Sequence, residues 1–268
     1  MNSVTVAWSA AGAVSITLAL IYGMAWILKR RSVAYLLFSL TALAAAGNAF
    51  SELSLMLAGS IEAYGMAMKR EVFFAGALLI GLTWFVHVYF GTTRRWMAAA
   101  ITASWMFLLV VNHLSPMGLV YREIVSLHAD SLWGEVIVHA TGKANPWNLA
   151  GNVLPLAIIA FVIDGALRLG TSDHRKRAMT IGGAIVLFLF LAGLHSTLVD
   201  HGIVAGPYLV SFFYLAIILA MSYELGNDII RSSRLAEEVE ANERRWRSLL
   251  ENVQLLAVGV DREGRIDY

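Results

Sequence analysis

Long apolar runs separated by short polar or basic breaks occupy the chain as far as residue 223. A helix needs about 20 apolar residues to bridge the hydrocarbon core of a bilayer. Seven stretches approach that length: residues 4–28, 32–57, 72–90, 97–114, 149–169, 178–199 and 206–223. Three carry an interruption, namely Glu52 in the second, Pro155 and Asp164 in the fifth, and Pro207 at the start of the seventh. A membrane helix tolerates such residues where neighbouring helices satisfy the freed groups. The expected fold is therefore an all-α integral membrane bundle of seven transmembrane helices.

Basic residues orient the bundle, because Lys and Arg concentrate in cytoplasmic loops. Lys29, Arg30, Arg31, Arg94, Arg95, Arg168, Arg175, Lys176 and Arg177 follow the odd-numbered spans; only Lys69, Arg70, Arg122 and Lys143 lie on the other side. Nine against four places the N-terminus outside and the C-terminus in the cytoplasm. Met1-Asn2-Ser3 has no positive charge, so the first run reads as a retained span rather than a cleaved signal.

Between spans four and five, residues 119–125 and 132–138 are both β-rich, and His128-Ala129-Asp130-Ser131 between them is turn-like. The expectation is a short extracytoplasmic hairpin over the outer mouth of the bundle. Past Tyr223 the chain becomes charged. Leu225, Ser232, Val239, Trp246 and Val253 recur every seven residues, with Ile229, Ala236, Glu243 and Leu250 between them. This imperfect heptad predicts a cytoplasmic signalling helix over residues 224–253 that pairs with a second copy, the polar seam positions keeping the pair marginal. A solvated amphipathic helix is the plainer alternative.

Composition agrees with the pattern: 58% hydrophobic and 15% charged residues, with a mean hydropathy of +0.66, exclude a soluble enzyme for most of the length. A net charge of +1 gives no reason to expect nucleic acid as a partner. The absence of cysteine excludes disulfides, Cys-ligated zinc, iron–sulfur clusters and thiol nucleophiles.

A polar group within a span costs roughly 2–3 kcal/mol, so each needs a partner or a purpose. Asn48 and Glu52 lie in the outer third of span two, His113 at the outer end of span four, His195, Asp200 and His201 at the outer end of span six, and Tyr208 at the start of span seven. If spans two, four and six adjoin, these residues form one outward-opening pocket, with Glu52 and His195 at its base and His113, Asp200 and His201 at its rim. The plainer alternative is a structural network in which Glu52 pairs with one histidine. Glu52, His113, His195, Asp200 and His201 would be the ligands if a metal is held, although no recognised metal-binding spacing occurs. A haem would need two histidines at matched depth; His87 has no such mate, which leaves His113 with His195. Asp164 and Arg168, four apart, read as an ion pair on a helix surface, and Trp8, Trp26, Trp96 and Trp147 as interfacial belt residues.

The last stretch, Arg244-Arg245-Trp246-Arg247-Ser248-Leu249-Leu250-Glu251-Asn252-Val253 and then Gly259-Val260-Asp261-Arg262-Glu263-Gly264-Arg265-Ile266-Asp267-Tyr268, reads as a helix, a strand, a turn and a second strand. Two strands make no stable domain, so the chain is expected to stop inside one, residues 254–268 being its start. These segments resemble the opening of a PAS domain. Joined to Pro207-Tyr208-Leu209-Val210-Ser211-Phe212-Phe213, the region from about residue 178 to 268 resembles bacterial seven-helix sensor histidine kinases, and residues 112–127 of the loop do so weakly. The resemblance implies a sensor domain over residues 1–223 in the bacterial inner membrane and a homodimer joined through the linker helix. It also implies a small-molecule or ion ligand and, in a longer protein, a kinase domain that uses ATP and addresses a cognate response regulator. Diguanylate cyclases carry similar heads. A haem- or metal-binding redox protein is the alternative of a different class. A transporter would show related halves, and a retinal protein a lysine in span seven; neither is present.

Overall fold

The computed structural model describes residues 3–28, 33–169, 173–204, 206–254, 259–260 and 266–267. It is mostly helical and divides into two units, Met1–Ala220 and Met221–Tyr268. In the first unit run α1 (Ser3–Leu28), α2 (Val33–Met56), α3 (Ile61–Phe90), α4 (Arg95–Leu114), the strands β1 (Tyr121–Leu132) and β2 (Glu135–Ala144), α5 (Asn148–Leu167), α6 (Asp173–Asp200) and the beginning of α7 (Val210–Gln254).

Among the described residues, six helices are long and apolar enough to cross a membrane: α1 to α5, and α6 from Ala178 on. The seventh apolar segment, Val210–Tyr223, is shorter and forms the start of the 45-residue α7. It begins four residues later than the hydropathy pattern implies, since residues 207–209 are not helical. Large apolar side chains face outward as well as inward: Leu20, Leu43, Phe73, Val110, Leu156 and Phe190 are exposed, while Tyr22, Phe38, Leu82, Phe85, Ile158 and Phe188 are buried. An apolar surface of this extent belongs in lipid rather than in water.

α3 departs most from the sequence expectation. Lys69-Arg70-Glu71 reads as a loop before a span at residue 72, yet the helix begins at Ile61. The Ser60 side chain accepts a hydrogen bond from the Ala63 N–H at 3.1 Å, and Glu62 sits in the first turn, two features that stabilise a helix start. Eleven residues of extra helix turn Tyr64, Met68 and Glu71 inward and leave Arg70 on the outside.

The hairpin between α4 and α5 is present, but its strands are longer than expected and its turn lies elsewhere. His128-Ala129-Asp130-Ser131 are within β1, with His128 opposite His139. The reversal occurs at Trp133-Gly134, where both residues have positive φ (53° and 81°) and Leu132 pairs with Glu135. Two-residue turns of this hand match the twist of antiparallel strands, and glycine makes the second position accessible. Amide side chains hold the roots of the hairpin: Asn112 donates to the Lys69 carbonyl (3.0 Å) and accepts from the Leu119 N–H (2.9 Å), while Asn145 donates to the Gly118 carbonyl (3.1 Å). At the tip, the Glu135 carboxyl accepts from the backbone N–H groups of Ser3 and Val4, occupying two of the otherwise unpaired donors of the α1 N-terminus. Val4, Trp8, Met56 and Ile137 form a buried cluster there, with Leu132, Leu209 and Phe212 against it. The starts of α1 and α7, the end of α2 and the hairpin thus meet at one end of the first unit.

In the second unit, the remainder of α7 is helical through Gln254, and Gly259–Val260 pairs antiparallel with Ile266–Asp267. The rest of the expected PAS opening, and the side chains of Leu225 and Ile229, lie outside the described residues. Val239, Trp246 and Leu250 are 60%, 64% and 60% exposed in the single chain.

Candidate functional site

The polar side chains singled out in the sequence do not converge on one pocket. They separate into two centres, because α2 packs mainly against α1 and α3, while α6 packs against α5.

The first centre surrounds Glu52, 1% exposed. One carboxyl oxygen accepts from Asn48 Nδ2 (2.9 Å) and from the Ser211 backbone N–H (3.1 Å); the other accepts from Trp8 Nε1 (2.8 Å) and the Ser211 hydroxyl. Glu52 therefore ties α2 to α1 and to the first turn of α7. Asn48 and Glu52 do share a helix face, but among the described residues no histidine partners Glu52. The His195 ring instead meets Phe213 edge-on at 5.8 Å, and its buried Nδ1 has no hydrogen-bond partner. Nor is Trp8 a belt residue: it is buried, bonded to Glu52 and packed edge-to-face with Phe212 at 4.7 Å. Trp26, Trp96 and Trp147 are exposed near helix ends, as a belt requires.

The second centre surrounds Asp200, at the end of α6. Its carboxyl accepts from Asn148 Nδ2 (2.9 Å) and from the Tyr208 hydroxyl (2.6 Å). Asp200 borders two cavities. One, of about 210 Å³, lies towards the hairpin and is lined by Tyr64, Tyr121, His139, Thr141 and His201. Burial, and after it the nearby Asp200 carboxyl, push the Tyr121 phenol up to about 12.

The other cavity, of about 110 Å³, lies between α3, α4, α5, α6 and the start of α7. Leu119 and Val120, at the root of the hairpin, close one side; Val72, Leu78, Leu79, Phe188, Leu189 and Ala192 make most of its wall. Its polar lining is Glu71, Asn148, Asn152, Ser196, Asp200 and Tyr208, with Trp105 beside them. Two of these groups are unspent. Glu71 is 6% exposed, and among the described residues no donor or cation pairs with its carboxyl. The Trp105 indole N–H is buried without a partner. Buried polar groups are normally satisfied, so the unpaired Glu71 carboxyl on this cavity wall marks a place for something to bind. Pro155, which lacks an N–H, interrupts the α5 ladder at the same wall.

His113 and His201 are exposed; the His201 ring bonds the Thr197 carbonyl of its own helix (2.8 Å). Neither His113 nor His195 lines the inner cavity, so they do not frame a haem site there. Among the described residues no three of His, Asp and Glu come together as metal ligands. His87 bonds Thr93 Oγ1 at 2.8 Å, away from both centres. The Asp164–Arg168 pair forms as expected (3.1 Å) and is shared with Arg94 at 3.6 Å.

Glu71, Trp105, Asn148 and Asn152 escape the sequence reading. Glu71 was hidden by its basic neighbours; continuing the helical period back through Met68 and Tyr64 to the Ser60 cap would have turned it inward. The asparagines sit on the helix that follows the hairpin, where polar residues are unexceptional. No protein-family model matches this chain, and no curated protein matches it.

Proposed function

We propose that residues 1–223 are the sensory head of a bacterial signalling protein. In this reading seven helices cross the inner membrane, with the N-terminus and the hairpin outside. A small ligand occupies the cavity bounded by Glu71, Trp105, Asn148 and Asp200, and α7 carries its effect to a cytoplasmic linker, PAS and output domain. The distribution of Lys and Arg supports the orientation, and the placement of the hairpin beside the α1 N-terminus is consistent with it.

One observation carries the reading: the cavity and the helix that would transmit its state share residues. Tyr208 and Val210 line the cavity, Ser211 is anchored to Glu52, and α7 begins at Val210. A ligand needs only to favour one arrangement of these contacts to bias α7. The output we infer is an ATP-dependent histidine kinase acting on a response regulator, as the resemblance of residues 178–268 suggests. The exposed Val239, Trp246 and Leu250 support a homodimer along the linker seam.

The chain contains no cysteine, so single cysteines report pairing without background. In oxidised membranes, V239C and W246C should form disulfide-linked dimers readily and S248C, off the seam, slowly. Equal cross-linking at all three, or none at any, would overturn the seam and the dimer.

A further inference from the structure

The cavity between α3, α4, α5 and α6 has an uneven chemistry. Its charged lining residues, Glu71 and Asp200, are both acidic, and among the described residues no lysine or arginine borders it. Asp200 already accepts from Asn148 and Tyr208, whereas Glu71 has no partner among the described residues. A carboxylate placed in so apolar a wall is strongly unfavourable unless a positive charge meets it. A bare metal ion does not answer this need, because among the described residues no three of His, Asp and Glu come together to ligate one, and Val72, Leu78, Leu79 and Phe188 face the same space. A cation that brings its own hydrocarbon suits both parts of the wall.

Resting on the receptor reading above, we propose that this cavity binds a small organic ammonium ion, its nitrogen held by Glu71 with Asp200 nearby and its hydrocarbon against Leu78, Leu79 and Phe188. The size follows from the space: a cavity of about 150 Å³ accepts benzene, so about 110 Å³ admits a chain of roughly five non-hydrogen atoms. The same chemistry can come from a free amine or from the ethanolamine headgroup of a membrane lipid.

The test uses the whole chain in phosphatidylcholine nanodiscs, titrated calorimetrically with n-butylammonium, 1-butanol and butyrate. These probes are close in size and differ in charge. Butylammonium should bind saturably and at least about tenfold more tightly than butanol, the equivalent of one charge-assisted hydrogen bond. E71Q should abolish that preference while leaving butanol binding unchanged, and D200N should weaken it. Repeating the titration in nanodiscs of equal parts phosphatidylcholine and phosphatidylethanolamine separates the sources. Weaker apparent binding there assigns the headgroup, and unchanged binding assigns a free amine. If the three probes bind alike to the natural chain, the ammonium assignment fails and the receptor cavity stands. If none binds, both fail.

Discussion

Replacing Glu52 by glutamine probes the joint between α1, α2 and α7 with almost no change in volume. The carboxyl accepts four hydrogen bonds, two on each oxygen. A glutamine offers one accepting oxygen and one donating NH2. If the NH2 takes the side of Trp8 and Ser211 Oγ, the serine hydroxyl can rotate to accept, but the indole N–H can only donate and is left unpaired. If it takes the other side, Asn48 can turn its free Oδ1 to accept, and the Ser211 backbone N–H is left instead. Either way one buried N–H loses its partner, a cost of about 1–3 kcal/mol. The assay is reversible unfolding in mixed micelles followed by tryptophan fluorescence. Adding W8F removes the indole donor, so W8F should cost less in the E52Q background than in the natural chain. E52Q as stable as the natural chain, or strictly additive effects of the two changes, would refute the four-donor network.

The hairpin yields three further predictions. Tyr121 is raised from an ordinary 10 to about 12; a raised acid contributes stability that is complete below pH 10 and lost as pH climbs through 12, so Y121F should remove that part of the alkaline loss in an unfolding series. Glu123 is held below its usual 4.5 by the Lys143 ammonium 2.8 Å away. The pair's contribution is therefore full above 4.5 and disappears as pH falls through the lowered value, and K143M should return Glu123 towards 4.5 in a carboxyl NMR titration. A Cβ at Gly142 would overlap the Glu123 carbonyl across the strands, so G142A should cost about 1–3 kcal/mol and raise amide exchange along the hairpin.

Helix positions were readable because the apolar runs have the length a bilayer demands, and the hairpin because two β-rich segments flank polar residues. The hairpin turn was misplaced because His128 to Ser131 look like a turn, whereas Trp133-Gly134 reveals itself only through backbone conformation. Asn48 and Glu52 share a face by helical spacing alone. Their partners Trp8 and Ser211 lie 44 and 159 residues from Glu52, and which helices adjoin is a matter of packing that spacing does not carry. Sorting residues by depth placed His113, His195 and Asp200 together, but depth says nothing about direction around each helix axis. Glu71 shows the converse error: a charge beside two basic residues reads as solvated until the helix is extended through it.

The most direct test of the account is whether filling the inner cavity alters the linker. Gly193 borders the cavity, and a Cβ there would meet no other atom, so G193L adds bulk at the cavity edge without a clash, and loss of butanol uptake shows that it fills the space. The measurement is the rate of disulfide formation at W246C in native membranes, with and without G193L. The account predicts rates that differ several-fold while α6 remains folded. Identical rates, in a variant whose cavity no longer takes up butanol, would contradict it.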